Sequence, residues 1–270
     1  MTTLNKNIKT NIQPTWCPGC PNFLILEAVK RVIESLEKKG IKKDDFCMVT
    51  DIGCNSKIFD YLNLSGIYGL HGRAAATALG VKLGNPNLKV LAFQGDGAAY
   101  AEGIDHFIHS CRYNSDFTLI VHDNQAFSLT TGQASPTAEQ GFKTKAEPLG
   151  EFNKPLNPVK LALASGATFV ARCNPFDIED TARILQAAIE HKGFAFVEMM
   201  QKCLIFHKDM QQLVPLMYKI EDNRDKHQSE KYSDEFDYNK QSGKIPVGII
   251  FQTQEPTLEE KWPQLKKRMK

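Results

Sequence analysis

Hydrophobic residues follow two different spacings along the chain. In residues 23–40, FLILEAVKRVIESLEKKG, apolar side chains recur at every third or fourth position and the pattern ends at a glycine, which predicts an amphipathic helix. In residues 45–53, DFCMVTDIG, the apolar run is short and continuous, which predicts a buried strand followed by a glycine turn. Further helices are predicted at 72–85, 100–114, 158–167 and 178–193, and further strands at 88–97, 116–124, 168–173, 194–203 and 245–252.

This alternation sets the expected fold class. Strands that alternate with helices of this length indicate right-handed βαβ units, which build a parallel sheet with helices on both faces. The predicted fold is therefore α/β, with a doubly wound and mostly parallel sheet. Residues 1–270 are expected to form a single domain without internal repeats.

Two segments depart from the pattern. Residues 130–155 contain many Thr, Gly, Pro and Lys residues with little periodicity, and a loop of that length is either functional or disordered. Residues 218–244 are mostly charged and polar. We expect the second segment to be a solvated excursion, and the alternative is a mobile segment that becomes ordered on a partner subunit.

Composition excludes several classes of function. The 270 residues are 42% hydrophobic, and 33 basic residues balance 31 acidic ones to a net charge of +2. This is ordinary for a soluble globular protein and gives no reason to expect nucleic acid or an anionic membrane as a partner. The N-terminus is polar, and no apolar run approaches the roughly 18–20 residues that a membrane span needs. A cytoplasmic location is expected.

The stretch TWCPGCPNF carries the closely spaced pair Cys17 and Cys20. The chain has seven cysteines, an odd number, so a disulfide framework is not expected. A thioredoxin-type redox pair should follow a strand, whereas a polar, proline-containing tail precedes this one. A zinc site would need isolated ligands from elsewhere to converge on the pair. An iron–sulfur site would need four thiolates, which need not be neighbours in the sequence.

A strand–helix–strand unit brings a second set of polar residues together. The strand at 88–97 ends in Gly95-Asp96-Gly97, and the strand at 116–124 ends in Asp123-Asn124. The 26 residues between Gly97 and Asn124 suffice for one helix and one returning strand. Both polar ends are therefore expected at the same edge of the sheet, where α/β proteins bind ligands.

The residue types at this edge suit a diphosphate held through a divalent cation. Gly95 and Gly97 let the backbone approach phosphate oxygens, and the helix beginning near residue 99 directs free N–H groups at the anion. Asp96 and Asn124 supply the hard oxygen ligands that Mg²⁺ prefers, and the backbone carbonyl of Ala126 is the expected third protein ligand. The alternative is a purely structural turn at GDG with Asn124 as a cap.

Several motifs together resemble one family. WCPGCPN, DIGC, GLHGRA, the GDG motif with HDN after it, and LTTGQASPT occur in the order typical of the β subunits of 2-oxoacid:ferredoxin oxidoreductases. The resemblance extends from about Pro14 to His207. It implies a thiamine diphosphate-binding domain of the pyrophosphate type, with Mg²⁺ as its metal. It also implies oxidative decarboxylation of a 2-oxoacid to an acyl-coenzyme A and CO₂, with ferredoxin as the electron acceptor.

The resemblance also selects among the interpretations of the cysteines. It implies a [4Fe–4S] cluster, with an N-terminal ligand segment at about residues 10–22. The implied ligands are Cys17, Cys20, Cys54 and Cys203. Of these, Cys54 and Cys203 both follow predicted strands, where a loop can turn a thiolate inward, and Cys54 is expected to contact the cofactor as well. The remaining three, Cys47, Cys111 and Cys173, are expected to be small buried side chains.

Three further residues are implied at the reacting end of the cofactor. Lys57 matches a lysine near the thiamine and the carboxylate of the 2-oxoacid, and His71 and Arg73 match the family's HGR. Glu102 and His106 on the following helix have weaker claims, since a solvated helix face is the default.

One position departs from the family pattern. Some relatives carry a lysine for coenzyme A phosphates where this chain has Thr131, so Lys143 or Lys145 is the expected substitute.

The resemblance implies an α subunit as partner, in a heterodimer or heterotetramer, and implies that the chain is active only within this complex. The carboxylate that protonates the aminopyrimidine ring belongs to a separate domain, for which these 270 residues have no second doubly wound unit. The 2-oxoacid stays open between pyruvate, 2-oxoglutarate and branched-chain oxoacids. Two rival hypotheses are a non-redox thiamine decarboxylase or lyase subunit with structural zinc, and a metal-bound scaffold subunit.

Overall fold

The central feature of the computed structural model, which describes residues 8–207 and 210–269, is an eight-stranded sheet. The strands, numbered in chain order, are β1 Phe46–Thr50, β2 Gly66–Tyr68, β3 Lys89–Gly95, β4 Phe117–Asp123, β5 Ala126–Phe127, β6 Gln133–Ala134, β7 Phe169–Cys173, β8 Ala195–Met200, β9 Met217–Lys219, β10 Phe236–Asp237, β11 Ser242–Gly243 and β12 Ile245–Gln252. The sheet has the order β2-β1-β3-β4-β8-β7-β12-β9. Every neighbouring pair is parallel except β7 with β12. The mostly parallel sheet expected from the sequence is confirmed.

Helices cover both faces of this sheet. The α-helices are α1 Asn22–Lys38, α2 Ile58–Tyr61, α3 Ala74–Gly84, α4 Ile104–Tyr113, α5 Pro158–Ala164, α6 Ile178–Glu190, α7 Met210–Leu213, α8 Lys226–Asp234, α9 Leu258–Lys261 and α10 Pro263–Lys266. The apolar faces of α1 and α6 pack on one side of the sheet, and those of α3, α4 and α5 pack on the other. The doubly wound arrangement is thereby confirmed. Within the described ranges, no helix has both the length and the apolar character needed to cross a bilayer.

The sheet differs from the prediction at the edge strands β2 and β9 and at the end of β8. The edge strand β2 was not predicted, because its three residues are exposed and carry no hydrophobic pattern. At its first position the sheet requires glycine, since a Cβ on Gly66 would collide with the Met48 carbonyl oxygen. The strand predicted at 194–203 ends at Met200, which leaves Cys203 in the loop beyond it. The segment 130–155 contains only the short strand β6 as regular structure.

The segment 218–244, which was expected to be a solvated excursion, contains regular structure. The segment continues β9, forms α8, and turns through the hairpin β10–β11. Its charged residues face solvent, but Phe236 and Tyr238 are only 2% and 3% exposed and pack with residues of β8 and β12. Two aromatic anchors therefore order a segment whose average composition is polar.

Tyr238 joins a buried charge network in the sheet. Its hydroxyl donates to Glu198 Oε1 over 2.5 Å and accepts from Arg172 Nη2 over 3.1 Å. Arg172 Nε also donates to Glu198 Oε2 over 2.6 Å, and all three side chains are buried. Burial of such a pair is costly unless further hydrogen bonds satisfy both partners, and Tyr238 supplies one to each.

We expect Tyr238→Phe to lower the free energy of unfolding by about 1–3 kcal/mol, because it leaves two buried charged groups each short of a hydrogen bond. Urea denaturation followed by fluorescence measures this change. Tyr113→Phe, at an exposed position of α4, is the control and should change stability by less than about 0.5 kcal/mol. Equal unfolding midpoints for the two variants would show that the segment is not anchored through this hydroxyl.

Candidate functional site

Four neighbouring parallel strands end at one edge of the sheet. The strands β1, β3, β4 and β8 lie side by side, and their C-terminal ends lead into Asp51, Asp96, Asn124 and Gln201. The loops beyond these four ends carry most of the candidate residues. The two strand ends that the sequence predicted to meet therefore do meet, and two more join them.

The first of two adjacent pockets at this edge is called here the Asp96 pocket. It is lined by Gly95, Asp96, Gly97, Ala126, His71, and by Cys54, Asn124 and Ser128, which it shares with the second pocket. All six residues expected to bind the cofactor are thus brought together. The backbone continues from Gly97 into a π-helical turn, Ala98–Glu102, before α4 begins.

Two hydroxyl groups contact the carboxyl group of Asp96. Ser135 Oγ donates to Asp96 Oδ2 over 2.5 Å, and Thr137 Oγ1 lies 3.0 Å from the same oxygen. Thr137 Oγ1 also lies 2.7 Å from Asp123 Oδ1. Burial raises the pKa of Asp96 above its ordinary value, although these hydroxyls oppose the shift. The carboxyl group is therefore buried and positioned, and a cation beside it would compensate its charge.

Asp123 is buried like Asp96 but does not line the Asp96 pocket. Burial, followed by the neighbouring charges of Asp96 and Glu198, raises the pKa of Asp123 well above that of an ordinary carboxyl group. Its Oδ2 is a buried atom without a hydrogen-bond partner in the structure. Asp96, which lines the pocket, is thus the member of this pair that is placed to carry a charge toward a ligand.

At both glycines of the GDG motif, a neighbouring side chain lies close to the backbone. A Cβ on Gly97 would come within 2.7 Å of Cδ1 of the Phe127 ring, which forms one wall of the Asp96 pocket. A Cβ on Gly95 would lie 3.1 Å from Oδ1 of Asn55, which forms another wall. Side chains at these positions would displace the walls and narrow the pocket.

Sequence reasoning missed Asp51, which organises the loops around the pocket. Its buried carboxylate accepts hydrogen bonds from four groups, namely Asn55 Nδ2, Ser56 Oγ, Gln94 Nε2 and the Gly72 backbone N–H, over 2.9–3.2 Å. Burial raises the pKa of Asp51, and these hydrogen bonds oppose the shift. Its position directly after a buried strand was the available signal, but its distant partners, Gln94 on β3 and the backbone of Gly72, were not visible in the sequence.

The structure separates the three residues expected at the reacting end. His71 lines the Asp96 pocket, and its ring faces Phe127 with centroids 6.1 Å apart. Arg73 does not line it, because its guanidinium turns away to donate to the Glu102 carbonyl oxygen over 2.5 Å. A role of Arg73 at the reacting end of the cofactor stays a prediction. Lys57 belongs to the second pocket instead, where Nζ donates to the Thr15 carbonyl oxygen over 3.4 Å.

The two residues with weaker claims lie outside both pockets. Glu102 Oε2 is 3.3 Å from His71 Nδ1, so it touches a pocket residue without lining the pocket itself. His106 lies 3.7 Å from its helix neighbour Asp105 on a solvated face.

The second pocket, called here the cysteine pocket, gathers four thiols from distant parts of the chain. Cys17, Cys20, Cys54 and Cys203 all line it. All seven cysteines are free thiols. The other three, Cys47, Cys111 and Cys173, are buried as small apolar side chains elsewhere, as expected. Among the residues that the structure describes, no group of three or more His, Cys, Asp or Glu side chains is placed so that it could hold a metal ion.

Aromatic packing positions the N-terminal thiols. Trp16 lies between Phe23 and Tyr61 in edge-to-face contacts, with ring centroids 5.3 and 4.8 Å away. Its Nε1 donates to the Cys54 carbonyl oxygen over 2.6 Å, which fastens the CPGC segment to the loop after β1. Burial, with the nearby thiols as a smaller cause, raises the pKa of Cys20 to about 11.

The segment 130–155 packs against the loop that carries Cys203. His207 Nε2 lies 2.8 Å from Glu139 Oε2, and the His207 ring stacks on Phe142 with centroids 4.2 Å apart. The His207 backbone N–H in turn donates to the Cys203 carbonyl oxygen over 2.9 Å. The segment 130–155 is thus in contact with one of the three segments that carry the four thiols. This contact is a structural reason for the length of the loop.

Thr131, which stands where some relatives carry a lysine, and the expected substitutes Lys143 and Lys145 all lie on the surface of this loop. Thr131 is exposed and has a left-handed backbone with φ of 81°, an uncommon conformation for a residue other than glycine. Lys143 and Lys145 are also exposed, and neither lines either pocket.

Comparison with known proteins gives consistent matches. A profile described as "Thiamine pyrophosphate enzyme, C-terminal TPP binding domain" matches residues 51–199. The chain is 44% identical over 190 residues to the β subunit of a 2-oxoacid:ferredoxin oxidoreductase from Saccharolobus solfataricus, covering 70% of this chain and 61% of that one. It is 40% identical over 197 residues to 2-oxoglutarate synthase subunit KorB of Archaeoglobus fulgidus, covering 73% and 72%.

A solved structure is similar over almost the full length. It is a 2-oxoglutarate:ferredoxin oxidoreductase from Magnetococcus marinus with 2-oxoglutarate, coenzyme A and succinyl-CoA bound. The TM-score is 0.89 at 32% identity, and the match covers 97% of this chain and 89% of the other. Because 97% of this chain is covered, the likeness includes most of the segment 218–244.

Gly132→Ala is expected to disturb the segment that carries Cys203, because a Cβ on Gly132 would lie 2.6 Å from the Phe206 ring. Gly141→Ala is a matched control, since Gly141 also has positive φ but nothing within 4 Å of its Cβ position. The first variant should be less stable than the second by about 1–3 kcal/mol. Its Cys203 should also react faster with a maleimide in metal-free protein. Equal stability and equal labelling rates would contradict the contact.

Proposed function

Because the chain belongs to the β subunits of 2-oxoacid:ferredoxin oxidoreductases, within the thiamine pyrophosphate enzyme family, we propose that it carries the redox half of their active site. The reaction is the oxidative decarboxylation of a 2-oxoacid to an acyl-coenzyme A and CO₂, with ferredoxin as electron acceptor. One observation carries the proposal. A pocket suited to a metal-bound diphosphate shares the wall residues Cys54, Asn124 and Ser128 with a pocket of four thiols.

The Asp96 pocket fits thiamine diphosphate with Mg²⁺. Asp96 supplies a buried carboxylate, and the side-chain oxygen of Asn124 and the backbone carbonyl of Ala126 are the further ligands. Each of these two oxygens accepts one hydrogen bond, from the N–H of Ala126 and of Ser128 respectively, and keeps a lone pair for a metal. Bare backbone at Gly95 and Gly97 leaves room for phosphate oxygens. When bound, thiamine diphosphate supplies the carbanion-stabilising chemistry of the reaction.

The cysteine pocket fits a [4Fe–4S] cluster. Four cysteine side chains from three separate parts of the chain, namely the CPGC segment, the loop after β1 and the loop after β8, line one cavity, and four is the number of thiolate ligands that such a cluster requires. Apolar side chains of Leu204, Ile205 and Phe206 form part of the wall. A cluster in this position supplies one-electron transfer next to the cofactor.

His71 and Lys57 have complementary parts in this proposal. His71, on the wall of the Asp96 pocket, is positioned to orient the bound cofactor or substrate through its ring nitrogens. Burial raises the pKa of the Cys54 thiol, and the hydrogen bond from Ser128 and the positive charge of Lys57, on the wall of the cysteine pocket, oppose this shift. Arg73 is assigned a supporting part, since its hydrogen bond to the Glu102 carbonyl oxygen ties the turn before α3 to the π-helical segment.

The proposed partners follow from the names of the relatives. A β subunit acts with an α subunit, and we propose that the α subunit brings the pyrimidine-binding domain and its carboxylate. Coenzyme A and ferredoxin are the proposed acyl and electron acceptors. The relatives' names include both 2-oxoglutarate and 2-oxoacids in general, so a panel of pyruvate, 2-oxoglutarate and branched-chain oxoacids with the co-expressed complex identifies the substrate.

Asp96→Asn keeps the shape of the side chain but removes the charge that would hold Mg²⁺. In the co-expressed complex, we expect affinity for Mg²⁺–thiamine diphosphate to fall more than about 100-fold, since even residues that only orient metal ligands contribute about 10–100-fold. Calorimetry measures binding, and ferredoxin reduction with a 2-oxoacid and coenzyme A measures the reaction. Asp105→Asn, on the solvated face of α4, is the control. Unchanged cofactor affinity in Asp96→Asn would refute the assignment of this pocket.

The cluster is tested by removing single thiols from the anaerobically purified complex. Cys54→Ala and Cys203→Ala should each lose the brown colour, the dithionite-sensitive visible absorption and the acid-labile sulfide. Cys111→Ala, which removes a buried thiol of α4, should keep all three. A colourless wild-type chain containing stoichiometric zinc would refute the cluster and favour a non-redox thiamine lyase.

A further inference from the structure

A single hydroxyl group, that of Ser128, stands between the two pockets. It lines both of them, together with Cys54 and Asn124. Ser128 Oγ donates to Cys54 Sγ over 3.5 Å, and Asn124 Nδ2 donates to Ser128 Oγ over 3.1 Å. One side chain therefore touches a proposed cluster ligand and a proposed magnesium ligand at once.

The chemistry of the neighbouring groups fixes the direction of these hydrogen bonds. The backbone N–H of Ala126 can only donate, so the Asn124 atom that it meets at 3.1 Å is Oδ1. The other end of the amide is then Nδ2, which also can only donate, and Ser128 Oγ must accept from it. The single proton of the Ser128 hydroxyl is left for Cys54. A thiolate can only accept, so the relay runs in one direction, from Asn124 through Ser128 to sulfur.

The backbone holds Ser128 in place for this contact. Its N–H donates to the Ala126 carbonyl oxygen over 2.9 Å, and its own carbonyl oxygen accepts from the Thr131 N–H over 3.3 Å. The hydroxyl thus extends from a hydrogen-bonded turn and needs no rearrangement to reach Cys54.

On the basis of the proposed function, we propose that Ser128 raises the reduction potential of the cluster. We also propose that, through Ser128, this potential depends on whether the magnesium site is occupied. A reduced cluster carries more negative charge on its sulfurs, so a hydrogen bond to Cys54 stabilises the reduced form more than the oxidised form. Mg²⁺ on Oδ1 of Asn124 would polarise the amide, and chains of hydrogen bonds strengthen one another. Loading the cofactor would therefore strengthen the Ser128–Cys54 hydrogen bond and make the cluster easier to reduce. Ser128 is a positioning and tuning residue, and it takes no part in bond making.

The test is the midpoint potential of the cluster, measured by redox titration monitored by EPR on the co-expressed complex. Ser128→Ala should shift the oxidation–reduction equilibrium toward the oxidised form by about tenfold, which for one electron is about 59 mV to lower potential. Ser128→Thr and Ser128→Val form a matched pair of the same shape, of which only the threonine keeps the hydroxyl. The threonine variant should retain the wild-type potential, and the valine variant should behave like the alanine variant.

Thr130→Ala is the control within the same turn. Its hydroxyl bonds to the Phe127 carbonyl oxygen and to Gln133 rather than to a cysteine, so its loss should leave the potential unchanged. A second titration after removal of Mg²⁺ and thiamine diphosphate should lower the potential of the wild type and leave that of Ser128→Ala unchanged.

Failure of this inference can be distinguished from failure of the proposed function. A wild-type complex without the EPR signal of a reduced [4Fe–4S] cluster would refute the proposed function itself. A cluster that is present with the same potential in the wild type, Ser128→Ala and Ser128→Val would overturn the tuning role alone. Loss of the cluster from both variants would also overturn it, and would assign Ser128 to holding the cluster. A cofactor response that persists in Ser128→Ala would exclude Ser128 as the route between the pockets.

Discussion

Parallel pairing of four neighbouring strands is the constraint on which both pockets depend. In the register of the sheet, Thr50 of β1 lies beside Phe93 of β3, and Asp123 of β4 lies beside Met200 of β8. Because all four strands run in the same direction, the loops that follow them all lie at the same edge of the sheet. Asp96 and Asn124 meet there, and Cys54 and Cys203 follow from the flanking strands. An antiparallel strand among these four would have sent one of the loops to the opposite edge.

Below this edge, the sheet carries an unusual amount of buried charge. Asp96, Asp123 and Glu198 lie close enough that each affects its neighbour, and Arg172 is the cation that balances Glu198. Such groups are costly to bury, and a hydrophobic core would be the more stable choice. The cost is understandable if the uppermost carboxylate is needed at the pocket and the deeper groups support it. Tyr238 connects the polar segment 218–244 to the same network. A region that is distant from the pocket residues in sequence therefore helps to support the buried groups beneath the pockets.

The sequence was informative where the deciding relationships are local. The GDG motif and Asn124 could be placed because one helix and one strand separate them, and that spacing fixes where both ends lie. The residues missed at the site are those whose partners are distant. Ser128 and Cys54 are 74 positions apart, and nothing in either local sequence indicates the contact. The hydrogen bond from Arg73 to the Glu102 carbonyl oxygen, 29 positions away, was likewise not visible in the local sequence. Phe236 and Tyr238 were overlooked because two anchors barely alter the average polarity of a long segment.

The spacing of the four thiols has a consequence for the denatured chain. Cys17 and Cys20 are near neighbours, whereas Cys54 lies in the loop after the first strand and Cys203 in the loop after the eighth. A cluster ligated by all four would close a loop comprising most of the polypeptide, as a long-range cross-link does. In the chain-entropy account of disulfides, a covalent tie across a loop of that size removes conformational freedom from the unfolded state worth on the order of 5 kcal/mol. The cluster proposed here as an electron carrier would then also stabilise the fold, and its oxidative loss would lower the free energy of unfolding of the whole domain.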